Sequence, residues 1–191
     1  MNGEIIETDR LIIRAFVSDD LPVIHRILNQ TFEVDGQPVP LEERRSWLQW
    51  SILNQEWFAK LHQPPYGDRA ITLKATGEVI GSVGYVPLLD VYEQIPKLCD
   101  STSPSSYTTT EVGLFWVIDP AHQRQGYATE AAQAMIDNAF KQMRLKRIIA
   151  ATEYANIASQ SVMKKVGMTI TRNPLPDPPW LQIVGVLDNG A

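Results

Sequence analysis

Apolar residues recur along the chain with two periods, and the alternation between them predicts the elements. RLIIRAF (Arg10 to Phe16) is rich in β-branched residues and reads as a strand ending at Ser18-Asp19-Asp20. Ser18 is a candidate N-cap, and the two acids suit a first helical turn. Leu21, Ile24, Ile27 and Leu28 then form a helical stripe, with Pro22 tolerable in a first turn. Glu33 to Pro40 reads as a loop by its Gly and Pro content. Leu41 to Leu61 reads as a long helix with Trp47, Trp50, Trp57 and Leu61 on one side. Such an aromatic stripe is more often core than substrate platform.

Arg69 to Ala75 and Val79 to Leu88 are β-rich runs joined across Thr76-Gly77-Glu78, a hairpin signal. Asp90 to Thr110 is rich in Ser, Thr and Pro and has no sustained period. It reads as a long insertion or mobile loop. EVGLFWVI (Glu111 to Ile118) is apolar on both faces after its first residue, which predicts a central strand. Gly113 within it predicts a bulge or a close backbone approach. Ala128, Ala131, Ala132, Met135, Ile136, Ala139, Phe140 and Met143 make the clearest helical face in the chain. Arg147 to Thr152 is another buried strand, so this stretch forms a β-α-β unit with a parallel pair. Asn156 to Gly167 predicts a short helix capped by Asn156, with Ala158, Val162 and Val166 inward and Gly167 as a left-handed stop. Two terminal strands follow, separated by NPLPDPP. The order β-α-α-β-β-(loop)-β-α-β-α-β-β predicts an α/β fold, a central mixed sheet flanked by helices.

Composition narrows what such a fold can do. The 191 residues suggest one domain over 1–191, with 90–110 as an elaborated loop. The net charge of −5 offers no bulk attraction to nucleic acid. One cysteine, Cys99, excludes an internal disulfide and a multi-cysteine metal site. His25, His62 and His122 are far apart with no H-x-x-x-H spacing, so no metal is expected. No apolar leader or membrane-length run is visible, and a reducing cytoplasm is the expected setting.

The chemistry sits at the junction DPAHQRQGYATEA (Asp119 to Ala131), between a strand and a helix. A helix N-terminus offers unpaired N–H groups and partial positive charge, and phosphate oxygens fit both. Gly126 removes a side chain where a ligand would approach. Gln123, Arg124, Gln125, Gly126, Tyr127, Ala128 and Thr129 could thus wrap a diphosphate with main-chain donors and no lysine. A plain structural turn would look the same at this level.

Q-x-x-G-x-A (Gln123, Gly126, Ala128) after a strand and before an amphipathic helix resembles the acetyl-CoA signature of the GNAT N-acetyltransferase superfamily. GYATEA (Gly126 to Ala131), the pattern Asn156, Ser159, Val162, Lys165, Gly167, and the opening Thr8 to Phe16 are similar to its RimJ/RimL-like branch. The departures are Ala128 at the last motif glycine, Met168 where an aromatic is common, the 90–110 insertion and NPLPDPP. The resemblance implies an acetyl-CoA-dependent N-acetyltransferase working by direct attack of an amine on the thioester. It implies that backbone groups of Trp116, Val117 and Ile118 meet the pantetheine arm, that Asn156 contacts the cofactor, and that Ser159 protonates the departing thiolate, with Tyr154 in reserve. Glu111 is the candidate base, with a solvated strand-end acid as the competing reading. Glu7, Glu33, Asp35 and Glu130 are less well placed, and Glu130 complements its own helix dipole. The expected partners are acetyl-CoA and an amine acceptor, a small molecule or a protein N-terminus. Exposed strand ends and the long loop could serve a homodimer. The alternative function is a CoA-binding regulatory domain without turnover; a third is a different nucleotide at the same helix end.

Overall fold

The structure, a computed structural model, describes residues 5–31, 37–99 and 107–190. Glu33, Asp35 and the middle of the 90–110 insertion, residues 100–106, lie outside the described residues. The elements run β1 (Ile6–Glu7), β2 (Leu11–Arg14), α1 (Leu21–Thr31), α2 (Leu41–Lys60), β3 (Gly67–Leu73), β4 (Val79–Asp90), β5 (Thr109–Ile118), α3 (Tyr127–Lys141), β6 (Arg147–Thr152), α4 (Ile157–Lys165), β7 (Thr169–Arg172) and β8 (Ile183–Asp188). The strands form one mixed sheet in the order β1-β2-β3-β4-β5-β6-β8-β7. β5 and β6 pair in parallel at Gly113↔Ile149, as the β-α-β reading requires. The expected order of elements holds, with the two-residue β1 added.

The packing divides into two compact units. The first spans Met1–Tyr85 and Phe115–Met135. Its core gathers Phe16, Leu21, Ile24, Ile27, Leu28, Leu48, Ala70, Val79 and Val117, all buried. Here α1 uses its predicted stripe, but its start differs. Ser18 opens a 3-10 turn and caps nothing. Asp20 does that work: its carboxylate accepts from the Val17 N–H at 2.9 Å and takes a two-pronged hydrogen bond from Arg14 at 2.8 and 2.9 Å. Asp20 is almost fully buried, so a paired charge is what makes its position tolerable.

Helix α2 reverses the expected orientation. Its buried positions are Arg44, Leu48, Ser51 and Gln55, a mostly polar stripe. Trp50, Leu53, Trp57 and Leu61 are each more than half exposed. Only Trp47 of the tryptophans packs inward, edge-on to Phe16 at 5.7 Å between ring centroids. The reason lies in β3, which opens on Asp68 and Arg69 and needs polar company. Gln55 Nε2 donates to the Tyr66 carbonyl at 3.0 Å, and the Arg44 charge acts on Asp68.

The second unit spans Val86–Leu114 and Ile136–Ala191. Its core joins Tyr92, Ile95 and Leu98 to Ile149, Leu181, Val184 and Val186. Residues 91–99, expected to belong to a long insertion or mobile loop, therefore place Tyr92, Ile95 and Leu98 in the core. Short-range bonds such as Ile95 N–H to the Tyr92 carbonyl at 2.9 Å hold them in tight turns that carry no strand or helix period. Gly113 is a close approach: any side chain there would collide with Leu88. The irregular register falls between Ile71 and Thr72 of β3. α4 is capped as expected, Asn156 Oδ1 accepting from the Ser159 N–H at 3.0 Å, and Gly167 takes φ +83° beyond its end. Its inward residues are Met163 and Val166; Ala158 is exposed.

Candidate active site

The junction after β5 is assembled wholly within the first unit. Asp119 fixes its start: the carboxylate caps the Ala121 N–H at 3.0 Å and pairs with Arg26 at 2.7 Å. The Arg26 hydrogen bond holds this carboxyl below its ordinary range against the cost of burial. A 3-10 turn, Pro120–His122, follows. Gln123 then turns its side chain back, Nε2 donating to the Ile118 carbonyl at 3.0 Å. Arg124 and Gly126 both take left-handed backbone, φ +62° and +86°. For arginine this region is costly, and it persists where the surroundings determine it.

Helix α3 starts on that turn. Its first intrahelical bond runs from the Glu130 N–H to the Gly126 carbonyl at 3.0 Å. The N–H groups of Gly126, Tyr127, Ala128 and Thr129 therefore have no intrahelical acceptor. Among the described residues nothing else accepts from them. Four orphan donors at the positive end of a fifteen-residue helix suit a polyanion.

Sequence reasoning missed what holds this turn. Arg10 Nη1 donates to the Gln125 carbonyl at 3.0 Å, and its guanidinium stacks over the Tyr127 ring at 4.4 Å. Glu130 accepts from Thr8 Oγ1 at 2.6 Å, from the Arg10 N–H at 2.9 Å and from Arg10 Nε at 2.6 Å. Burial pushes the Glu130 carboxyl up, and these bonds with the Arg10 charge outweigh it, leaving it lowered. Glu130 thus does more than complement its helix dipole. A pairing between positions 120 residues apart leaves no periodic trace; only Arg10 beside a strand start hinted at it.

Of the three strand residues expected to meet a pantetheine arm, two have committed carbonyls. The Val117 carbonyl packs against Gly81, filling the space of a side chain there, and the Ile118 carbonyl is held by Gln123. Trp116 is half-buried.

Glu111, Tyr154, Asn156 and Ser159 belong to the second unit. Glu111 is neither a solvated strand-end acid nor an open one. It is buried, and both carboxylate oxygens face Arg147, Oε2 accepting from Nε at 2.8 Å and Oε1 from Nη2. Each oxygen spends one lone pair on the guanidinium and keeps a second. The Ser159 hydroxyl makes no hydrogen bond among the described residues, whereas Ser161 spends its own on the Ile157 carbonyl at 2.8 Å. Tyr154 is 41% exposed and lies under the Arg172 guanidinium at 4.5 Å. One further acid stands out. Burial pushes the Asp68 carboxyl from 3.8 up to about 6, with the Arg44 charge opposing.

A mixed sheet carrying a β-α-β unit, with an open helix N-terminus straight after the central strand, defines a class of α/β proteins that hold an anionic ligand on main-chain donors. Within that class, residues 10–169 match the family described as "Acetyltransferase (GNAT) domain", and the chain belongs to this family. It is an acetyltransferase by that membership. The chain is 53% identical over 60 residues to the uncharacterized N-acetyltransferase YnaD of Bacillus subtilis, a match spanning 31% of this chain and 34% of that relative. It is similar in fold to a GNAT-family acetyltransferase of Bacillus anthracis, at 20% identity and TM-score 0.70, over 98% of this chain and all of the other. It is also similar in fold to RimL, titled a ribosomal L7/L12 alpha-N-protein acetyltransferase in complex with coenzyme A, at 16% identity and TM-score 0.62, over 96% of each chain. Among the described residues no helix is long and apolar enough to cross a membrane.

Proposed function

We propose that this chain moves the acetyl group of acetyl-CoA directly to a primary amine, and that the favoured acceptor is the α-amine of a peptide or protein in the manner of the RimJ/RimL-like branch. The observation that carries the reading is the set of four unengaged amides from Gly126 to Thr129. They would grip the diphosphate, with Gln123, Arg124 and Gln125 shaping the turn. The pantetheine arm would then run along Trp116 beside Val117 and Ile118.

In the reaction the neutral amine attacks the thioester carbonyl to give a tetrahedral adduct, its nitrogen gives up a proton, and the C–S bond breaks as the sulfur takes a proton, leaving an amide and free thiol. Ser159, whose hydroxyl is uncommitted, would supply that proton and regain one from the attacking nitrogen through water, with Tyr154 as the alternative donor and Asn156 capping α4 and contacting the cofactor. The ammonium must first lose a proton. Glu111, held by Arg147 with a lone pair to spare on each oxygen, would take that proton directly or through a water, and an acceptor with a low amine pKa lightens the task. An α-amine has a pKa near about 8, so a useful fraction is neutral at physiological pH, whereas a lysine-type amine near about 10.4 is almost wholly charged.

The test is free-thiol release from acetyl-CoA with N-terminal peptides, a lysine side-chain analogue and a polyamine as acceptors. Preference for the α-amine, with a rate rising to a plateau near that amine's own pKa, supports the reading. A break near pH 6 that disappears in Asp68→Asn would make Asp68, not Glu111, the base. Acetyl-CoA binding with no turnover on any amine would favour the regulatory alternative.

A further inference from the structure

Arg10 lies within the opening stretch that carries the resemblance but is assigned no role by it, yet its side chain meets Glu130, Gln125 and Tyr127 at the turn before α3. It leaves β2's threshold, with its own backbone fixed by the Lys74 N–H donating to its carbonyl at 2.9 Å. Glu130 engages its main chain and its guanidinium at once, at 2.9 and 2.6 Å. Thr8 holds the same Glu130 oxygen at 2.6 Å, so the carboxylate cannot swing away. The ring of Tyr127 supports the guanidinium from below. What remains free is one edge of the fork, and that edge takes the Gln125 carbonyl at 3.0 Å.

That last bond has a directional consequence. A trans peptide is planar, and its C=O and N–H point in opposite directions. Tying the Gln125 carbonyl to Arg10 therefore sends the Gly126 N–H the other way, outward with the first amides of α3. Gly126 adopts φ +86°, where the peptide before it would otherwise be free to turn over, since glycine imposes no steric preference. The guanidinium also sits within 3.3 Å of where a Gly126 side chain would project, so it closes the inner side of the turn.

We propose that Arg10 is a positioning residue for cofactor binding: by holding the Gln125 carbonyl it fixes the Gln125–Gly126 peptide with its N–H toward the diphosphate, and Glu130 and Thr8 hold Arg10 in turn. This rests on reading the turn as a diphosphate cradle. Lysine cannot replace it, because one ammonium cannot span Glu130 and the Gln125 carbonyl with the geometry of a planar fork.

The experiment is calorimetric titration of wild type, Arg10→Ala and Arg10→Lys with CoA and with pantetheine, which lacks the diphosphate. Unliganded melting temperatures are measured alongside. Wild type is expected to bind CoA well above pantetheine. Both variants are expected to lose about tenfold in CoA affinity, the upper range for one lost hydrogen bond, and to bind pantetheine as wild type does. A merely structural role would weaken both ligands together. If Arg10→Ala does not fold, Arg10→Lys, which keeps the charge beside Glu130, carries the test alone. Variants that keep the wild-type ratio of CoA to pantetheine affinity would overturn the role of Arg10 while leaving the cradle intact. A wild type that binds CoA no better than pantetheine would overturn the cradle itself.

Discussion

At the scale of single residues, two carboxylates carry opposite consequences. Asp68 has its pKa raised from 3.8 to about 6 by burial, with Arg44 only partly compensating. The folded state therefore holds this proton more tightly than the unfolded chain does. Stability is fully present below about pH 4 on this account and is lost as pH rises towards 6. Above that the charged, buried carboxylate costs up to about 3 kcal/mol. Asp68→Asn should raise the urea midpoint at pH 8 and leave it nearly unchanged at pH 4. Equal shifts at both pH values would show that the effect comes from packing. Glu111 presents the reverse case, a buried acid whose partner is in place. Arg147→Met leaves its charge uncompensated and should destabilise by about 3–5 kcal/mol. The double variant Glu111→Leu with Arg147→Met should recover most of that, measured by denaturant unfolding. A double variant no better than the single would mean the pair also holds something else.

At the scale of elements, the turn before α3 combines strain with function, and two glycines separate these. Gly126 and Gly77 share left-handed backbone, φ +86° and +74°. Alanine at either costs about 1–2 kcal/mol for that conformation. At Gly77 nothing lies within 4 Å of a new side chain, whereas at Gly126 it meets the Arg10 guanidinium at 3.3 Å. Both variants should melt lower by a similar amount, but only Gly126→Ala should weaken CoA binding in calorimetry. Sequence legibility follows the same line between local and distant causes. The α3 stripe, the Asn156 cap and the Gly167 stop are set within a few residues of one another, and pattern reading finds them. The turn proposed as the cradle was legible for that reason, since a strand, a glycine and a helix start are consecutive. The orientation of α2 was not, because Gln55 and Arg44 face inward towards Tyr66 and Asp68, which lie outside the helix. Nothing in the helix itself says that Trp50 and Trp57 will be left outside. The core contribution of residues 91–99 was not legible because Tyr92, Ile95 and Leu98 pack from turns with no period of 2 or 3.6. Arg10 was invisible because its partners lie 115 and 120 positions away.

At the scale of the whole molecule, family membership makes a claim about ligand linkage that does not depend on knowing the acceptor. A ligand that binds only the folded state adds RT ln(1 + [L]/Kd), about 2.7 kcal/mol at a hundredfold excess over Kd. For a chain of this size each kcal/mol moves the melting temperature by roughly 2–4 °C. Saturating acetyl-CoA should therefore raise it by about 5–10 °C. The proposed grip is on the diphosphate and the arm, not on the acetyl group, so CoA should give nearly the same rise as acetyl-CoA. ATP and NAD carry phosphates but no pantetheine, and should give markedly less at the same concentration. Scanning calorimetry with the four ligands checks this in one series. Equal shifts for ATP and CoA would mean that the helix end accepts any nucleotide and that strand-like pairing along Trp116 adds nothing. A rise with acetyl-CoA alone would place the selective contact at the acetyl group, which the orphan amides of α3 do not explain.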